Sequence, residues 1–173
     1  MSAPDPKPLN IAIIGAGPVG LALGLLLAQR CPHTHVSLFD ARAADADVSG
    51  DPRTLALALG SVQLLQTLGA WPEQDSQPIL AVQVSQEAAA LGLPGLLPRV
   101  HLEASGLKVP RLGAVLAYGR LVPALQAAWD AAVAKQPKRL HTRYGHPVRG
   151  LKAQTAGVEV DAGVADHFDL AVV

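Results

Sequence analysis

The chain has 173 residues, with 14 basic side chains against 14 acidic ones, 50% hydrophobic residues and 16% charged ones. That length allows one domain with its own core, the apolar fraction excludes a disordered chain, and the balanced charge gives no electrostatic basis for binding nucleic acid. A single cysteine, Cys31, rules out an internal disulfide and fits a reducing, cytoplasmic compartment.

Residues 1–8 read as a flexible lead-in rich in proline. Ile11-Ala12-Ile13-Ile14 is a short, mostly β-branched run, which predicts a strand buried on both faces of a parallel sheet. Gly15-Ala16-Gly17-Pro18-Val19-Gly20 follows. Pro18 suits a first helical turn, and Val19, Leu21, Ala22, Leu25 and Leu26 give an apolar surface broken at Gln29. Residues 36–39 then form a second strand that ends on Asp40 and closes a βαβ unit.

Each glycine of this unit has its own mechanical role. Gly15 permits the tight turn, Gly17 lets a diphosphate approach the backbone, and Gly20 lets the helix lie close against the strand. Free N–H groups and the helix dipole favour an anion there. Asp40 lies twenty positions after Gly20, where a carboxylate can accept hydrogen bonds from ribose hydroxyls. The glycine spacing alone is a weak signal; the strand before, the helix after and the terminal acid give it weight.

Residues 41–52 form a loop ending in Ser49-Gly50-Asp51-Pro52, and residues 53–59 alternate like a strand. A helix follows in which Val62, Leu64, Leu65 and Leu68 share a face, with Ser61 as N-cap and Gly69 as the stop. Residues 71–78 are a polar connection and residues 79–85 a strand. Residues 86–112 form a long excursion punctuated by glycine and proline, with one short strand at 99–102. Residues 121–135 are helical and stop at Pro137. Of the last four segments, 139–144, 148–154 and 157–162 suit a small antiparallel meander, and 168–173 a buried strand returning to the main sheet.

Other candidate chemistry is sparse. His33-Thr34-His35 lacks partners at metal-ligand spacing, and Cys31 has no arguable activating base, so neither a metal nor a catalytic side chain is assigned. Asp45, Asp47 and Asp51 read as a solvated loop. Arg53 is either a phosphate ligand or a loop charge paired with Asp51. The apolar run from Leu21 to Ala28 belongs to the helix rather than to a secretion signal, and no run reaches the roughly 20 residues that cross a bilayer.

Four stretches taken together carry a resemblance: Gly15 to Leu23; Asp51-Pro52-Arg53-Thr54-Leu55-Ala56-Leu57 running into Gly60-Ser61-Val62-Gln63-Leu64-Leu65; Leu112-Gly113-Ala114-Val115 leading to Leu121 and Leu125; and Phe168-Asp169-Leu170-Ala171-Val172-Val173. The chain resembles the FAD-dependent aromatic hydroxylases of the para-hydroxybenzoate hydroxylase type, and among them the ubiquinone-biosynthesis hydroxylases. The resemblance implies an α/β, Rossmann-like FAD-binding domain with a parallel sheet, flanking helices and a small antiparallel β-meander. It also implies that residues 1–173 are the truncated, N-terminal portion of that domain, because the later flavin motifs and the substrate-binding half of the family are not among them.

By the same resemblance Gly15, Ala16, Gly17, Pro18, Val19 and Gly20 surround the FAD pyrophosphate, with the amides of Val19 and Gly20 as donors. Asp40 holds the adenosine ribose, Ala41 and Arg42 beside it belong to the cofactor-binding set, Arg53 lies along the pyrophosphate and ribityl side, and Val148 meets the adenine. Family members take reducing equivalents from NAD(P)H and transfer one oxygen atom to an electron-rich aromatic ring. The expected substrate is thus a small aromatic or polyprenylated molecule, with room for peripheral association with the inner membrane or with a biosynthetic complex; no oligomeric state is implied. Two departures stand out: Tyr118 occupies a position where the family has Arg, Gln or Asn touching the cofactor, and Cys31-Pro32 stands where a glycine is common. The rival readings are an NAD-linked dehydrogenase with the same fingerprint and a catalytically silent fragment.

Overall fold

The computed structural model describes residues 7–85 and 99–173. In chain order the first elements are β1 (Leu9–Ile14), α1 (Pro18–Arg30), β2 (Thr34–Asp40), β3 (Thr54–Ala58), α2 (Leu59–Thr67), β4 (Ser76–Ile79) and β5 (Ala81–Ser85). They are followed by β6 (Arg99–Glu103), β7 (Gly113–Ala117), α3 (Tyr118–Lys135), β8 (Leu140–Tyr144), β9 (Gly150–Gln154), β10 (Gly157–Asp161), β11 (Ala165–Phe168) and β12 (Leu170–Val172).

Period-two alternation in β1 and β2 divides the molecule into layers. The two strands are parallel, with Ile11 opposite Val36 and Ile13 opposite Leu38, and the sheet runs β12-β1-β2-β8, parallel throughout. Ile11, Ile13, Val36, Leu38 and Leu140 face one way and join Leu21, Leu25, Leu121, Leu125 and Trp129 in the main core. Ala12 and Phe39 face the other way and meet Val160 and Phe168, the two phenyl rings being edge to face at 5.8 Å. The helices thus cover one face, and the β11-β10-β9 meander covers the other. β1 is buried on both faces, as its unbroken apolar run predicts.

α1 is held by shape and by its end. Trp129 is fully buried with its ring against Gly24, where a Cβ would come within 2.9 Å of Cζ3, and its Nε1–H donates to Thr142 Oγ1 at 2.8 Å. At the C-terminus of α1, Arg139 donates from Nη2 to the Ala28 carbonyl at 2.5 Å and from Nη1 to the Cys31 and Thr34 carbonyls at 3.1 and 2.9 Å. A cation there satisfies carbonyls that the helix cannot, and it complements the dipole.

Several expectations are corrected. α2 begins at Leu59, so Ser61 is not its N-cap. The Leu59 amide donates instead to the Leu112 carbonyl at 2.9 Å, and a tertiary partner does the work expected of a hydroxyl. Val19 and Leu64 are exposed rather than on the core faces of their helices. The strand expected at 79–85 is divided between two sheets, broken at Leu80: Ile79 ends β4, which begins at Ser76 inside the expected connection 71–78, and β5 follows the break. β7, the centre of the β3-β7-β4 sheet, was not expected: it runs into α3 without a breaker or polar cap.

Segment 139–144 supplies the fourth strand of the main sheet instead of a meander strand, and the meander takes β11, whose polar Ala-Asp-His-Phe sequence resembles a turn. The last segment does return to the main sheet beside β1, as expected, but as an edge strand whose Leu170 is 52% exposed. Of the expected excursion, 86–98 lies outside the described residues, as do 1–6 of the lead-in, while the short strand at 99–102 is β6. Among the described residues no helix is long and apolar enough to cross a membrane.

Candidate functional site

The turn between β1 and α1 is built by its glycines. Gly15 has φ +109°, a conformation that L side chains rarely adopt, and its amide donates to the Phe39 carbonyl at 2.7 Å, tying the turn to β2. A Cβ on Gly20 would collide with the Gly15 carbonyl and lie 3.2 Å from Ile13 Cγ2, so only glycine allows α1 to start this close to β1. The first helical hydrogen bond is donated by Leu21 to the Gly17 carbonyl at 3.0 Å. The amides of Val19 and Gly20 precede it and have no acceptor within the helix, and Pro18 has no N–H to satisfy.

Gly17 faces open space of a particular kind. A Cβ built on it would meet one neighbouring heavy atom within 4 Å, Tyr118 Oη at 3.9 Å. In a dinucleotide-type turn the second glycine leaves this side open to a diphosphate. A cleft of about 380 Å³ lies on the turn, lined by Ile13, Ile14, Gly15, Gly17, Pro18, Val19, Gly20 and Leu23 and, from the last segment, by Val172 and Val173. The turn is therefore not blocked by its own side chains.

Asp40 ends β2 beside a second cleft of about 280 Å³, lined by Ile14, Gly15, Ala41, His146, Pro147 and Val148 as well as Asp40 itself. Its Oδ2 accepts from the Ala16 amide at 2.6 Å and from Arg42 Nη2 at 3.1 Å. Its Oδ1 accepts from the Arg42 amide at 2.8 Å and from Arg42 Nε at 3.0 Å. Burial works to raise this carboxyl, but the Arg42 and Ala16 hydrogen bonds outweigh it and hold the group below the usual carboxylate range. The same pairing raises Arg42, whose Nη2 also donates to the Ala16 carbonyl at 2.6 Å.

The remaining expected residues fall around these two clefts. Ala16 is buried, and both its backbone groups serve the Asp40–Arg42 cluster. Val148 lies in the connection between β8 and β9, not in a strand, and lines the Asp40 cleft. That segment is held by Gly145 donating to the Arg42 carbonyl at 2.8 Å and His146 donating to the Asp40 carbonyl at 3.2 Å. Arg53 is exposed and forks onto Asp51, with Nη2–Oδ2 at 2.6 Å, while its guanidinium lies 4.2 Å from the centre of the Tyr118 ring. The geometry pairs Arg53 with Asp51 and stacks it on Tyr118, whose Oη lies 3.9 Å from a Cβ built on Gly17.

His146 and Pro147 are additions to the expected site residues, and Tyr118, singled out above only as a departure from the family pattern, lies beside the turn. Gly145-His146-Pro147 signals only a turn; its return to Asp40 follows from β8 pairing with β2, Tyr144 opposite Asp40. Tyr118 reaches the turn because the 48–53 loop lies over the start of α3, with the Tyr118 and Gly119 amides donating to the Arg53 and Asp51 carbonyls at 2.6 and 3.3 Å.

No protein-family model matches the chain, and no curated protein matches it. Solved structures do. The chain is similar to 2-methyl-3-hydroxypyridine-5-carboxylic acid oxygenase (a Y270A variant), with TM-score 0.63 and 15% identity over 95% of this chain and 39% of that one. It is similar to Klebsiella pneumoniae HpxO, an R204Q variant complexed with FAD, with TM-score 0.59 and 15% identity over 94% and 38%. It is also similar to the Diels-Alderase PyrE3 of pyrroindomycin biosynthesis, with TM-score 0.57 and 17% identity over 87% and 28%. The chain therefore carries the α/β fold that these proteins share, and it spans between 28% and 39% of their length.

Proposed function

We propose that the chain is the FAD-binding portion of a flavin-dependent monooxygenase that hydroxylates an aromatic or quinone-precursor substrate at the expense of NAD(P)H and oxygen. One observation carries the reading: the open turn with two free amides and the carboxylate at the end of β2 stand on adjoining clefts that share Ile14 and Gly15, as one nucleotide diphosphate requires. The likeness to an oxygenase named for an aromatic acid and to a protein complexed with FAD supports the flavin part of this reading. FAD, when bound, supplies the redox chemistry, and the chain's own residues bind and orient it.

In this reading the Val19 and Gly20 amides donate to phosphate oxygens. Asp40 accepts from the ribose, and the 145–148 segment borders the adenine. Arg53 and Tyr118 flank the far side of the turn, where the cation offsets phosphate charge. The Ala16 amide stays on Asp40 and keeps the carboxylate aimed at the cleft.

The test is a titration of the chain with FAD, read by flavin absorbance and fluorescence, against NADH. Saturable FAD binding, displaced by ADP, is expected, because the turn, Asp40 and the 145–148 segment build the diphosphate and adenosine side of the site. Preference for NADH overturns the flavin reading in favour of a dehydrogenase, and binding of neither ligand overturns the nucleotide site.

A further inference from the structure

Asp40 is saturated. An ionised carboxylate offers about four acceptor positions, and four donors fill them: the amides of Ala16 and Arg42, and Nε and Nη2 of the Arg42 side chain. The two backbone donors are fixed by the fold, since the Ala16 amide belongs to the turn and Arg42 is anchored by the Gly145 amide on its carbonyl. The two side-chain donors belong to a guanidinium whose one further hydrogen bond, from Nη2 to the Ala16 carbonyl at 2.6 Å, adds to its hold on the site. The Arg42 side chain is 32% exposed against 10% for that of Asp40, and it can swing outward while its backbone stays in place.

Vicinal hydroxyls present the same pattern as the guanidinium edge: two donors side by side, one for each carboxylate oxygen. We propose that Arg42 sets how strongly this site distinguishes a ribose from a sugar without vicinal hydroxyls, by holding Asp40 until the hydroxyl pair displaces it two donors for two. The inference rests on the nucleotide reading above, and it changes the part assigned to Arg42 from cofactor ligand to competitor. A nucleoside without the hydroxyls leaves the Asp40–Arg42 pair intact and forgoes nothing, so the chain discriminates weakly between the two. With Arg42 removed, Asp40 turns to the hydroxyls alone and the discrimination grows.

The experiment measures Kd for adenosine and for 2′,3′-dideoxyadenosine on the parent chain and on Arg42→Met. The ratio of the two constants is expected to rise about tenfold in the variant, as hydrogen bonds to a charged group dictate. A ratio that stays constant or falls, in a variant that melts cooperatively, overturns the proposal. In parallel, the Arg42 Nε–H resonance of the parent is followed by NMR, which needs no variant to fold. It is expected to move on adding adenosine and to stay on adding the dideoxy compound; a resonance unmoved at saturating adenosine overturns the proposal while leaving the nucleotide site standing. A parent that binds neither adenosine nor FAD overturns both.

Discussion

Gly17→Ala and Gly20→Ala separate the turn's two roles, because each methyl enters a different environment. Gly17 has φ −78° and ψ −176°, which alanine adopts freely, and its new methyl would meet Tyr118 Oη at 3.9 Å, an ordinary contact. Alanine is a poorer N-cap than glycine by up to about 1 kcal/mol, and the stiffer unfolded chain returns about 0.4–1 kcal/mol. The net is below about 1 kcal/mol, or a Tm change within about 2–4 °C for a chain of this size. The methyl nonetheless stands where a phosphate must approach the Val19 and Gly20 amides, so ADP affinity is expected to fall at least about tenfold, the equivalent of one charge-assisted hydrogen bond.

At Gly20 the methyl collides with backbone, the Gly15 carbonyl, which no rotamer relieves. Overpacking of that kind costs about 3 kcal/mol, which lowers Tm by about 6–12 °C. Thermal unfolding by circular dichroism and ADP titration by calorimetry read both variants. If Gly17→Ala binds ADP as the parent does, the turn does not cradle a diphosphate. If Gly20→Ala melts with the parent, the close approach of α1 to β1 is not what the glycine provides.

Arg139→Ala leaves the carbonyls at the end of α1 without their cation and is expected to cost about 2 kcal/mol in urea unfolding, with Arg139→Lys recovering less than half because a point charge cannot reach three carbonyls; a loss below about 0.5 kcal/mol would refute the capping role. Asp40 is held below the usual carboxylate range when folded, so its contribution is present above the unfolded value of about 3.9 and is lost as pH falls through the lower folded value. Stability should therefore drop on acidification below about pH 4 with a steeper slope in the parent than in Asp40→Asn, and equal slopes would contradict the pairing. Burial, then the nearby charges of Asp130 and Asp40, push the Tyr144 phenol up to about 12. The unfolded chain releases this proton near pH 10 and the folded chain does not, so stability should fall between about pH 10 and 12, a fall that Tyr144→Phe removes. Because the Tyr144 hydroxyl is buried without a partner among the described residues, the same variant should be more stable at neutral pH by about 1 kcal/mol, and a loss there would show that the hydroxyl is satisfied.

What the sequence made legible follows from where its local signals are strongest. The β1-turn-α1-β2 unit is written in contiguous residues: an apolar run, glycines with steric necessity at Gly15 and Gly20, a proline at the first helical position, and an acid at the strand's end. The boundary between β7 and α3 is not, since Ala117 passes directly into Tyr118 and the amides of that helix's first turn are closed by carbonyls from the distant 48–53 loop. The α2 start fails for the same reason, Leu112 having taken the place of a capping hydroxyl. Side-chain caps are visible in a sequence; backbone caps supplied by another segment are visible only once the fold exists.

The same distinction explains how the site was half read. Its glycines and Asp40 are local, whereas Tyr118, His146 and Pro147 arrive through strand pairing and loop placement. It also bears on what the turn is for. At the starts of α2 and α3 the Leu59, Tyr118 and Gly119 amides donate to carbonyls of distant segments, whereas at the start of α1 the first position is Pro18, and Val19 and Gly20, like Gly60 and Ser61 in α2, have no such partner among the described residues. The start of α1 differs in its neighbours: the turn before it carries Gly17, which only Tyr118 Oη approaches within 4 Å of a built Cβ, and its cleft shares Ile14 and Gly15 with the cleft that Asp40 lines. Helix-start amides without a partner in the chain take an acceptor from water or from an anion, and the ADP titration of Gly17→Ala distinguishes the two.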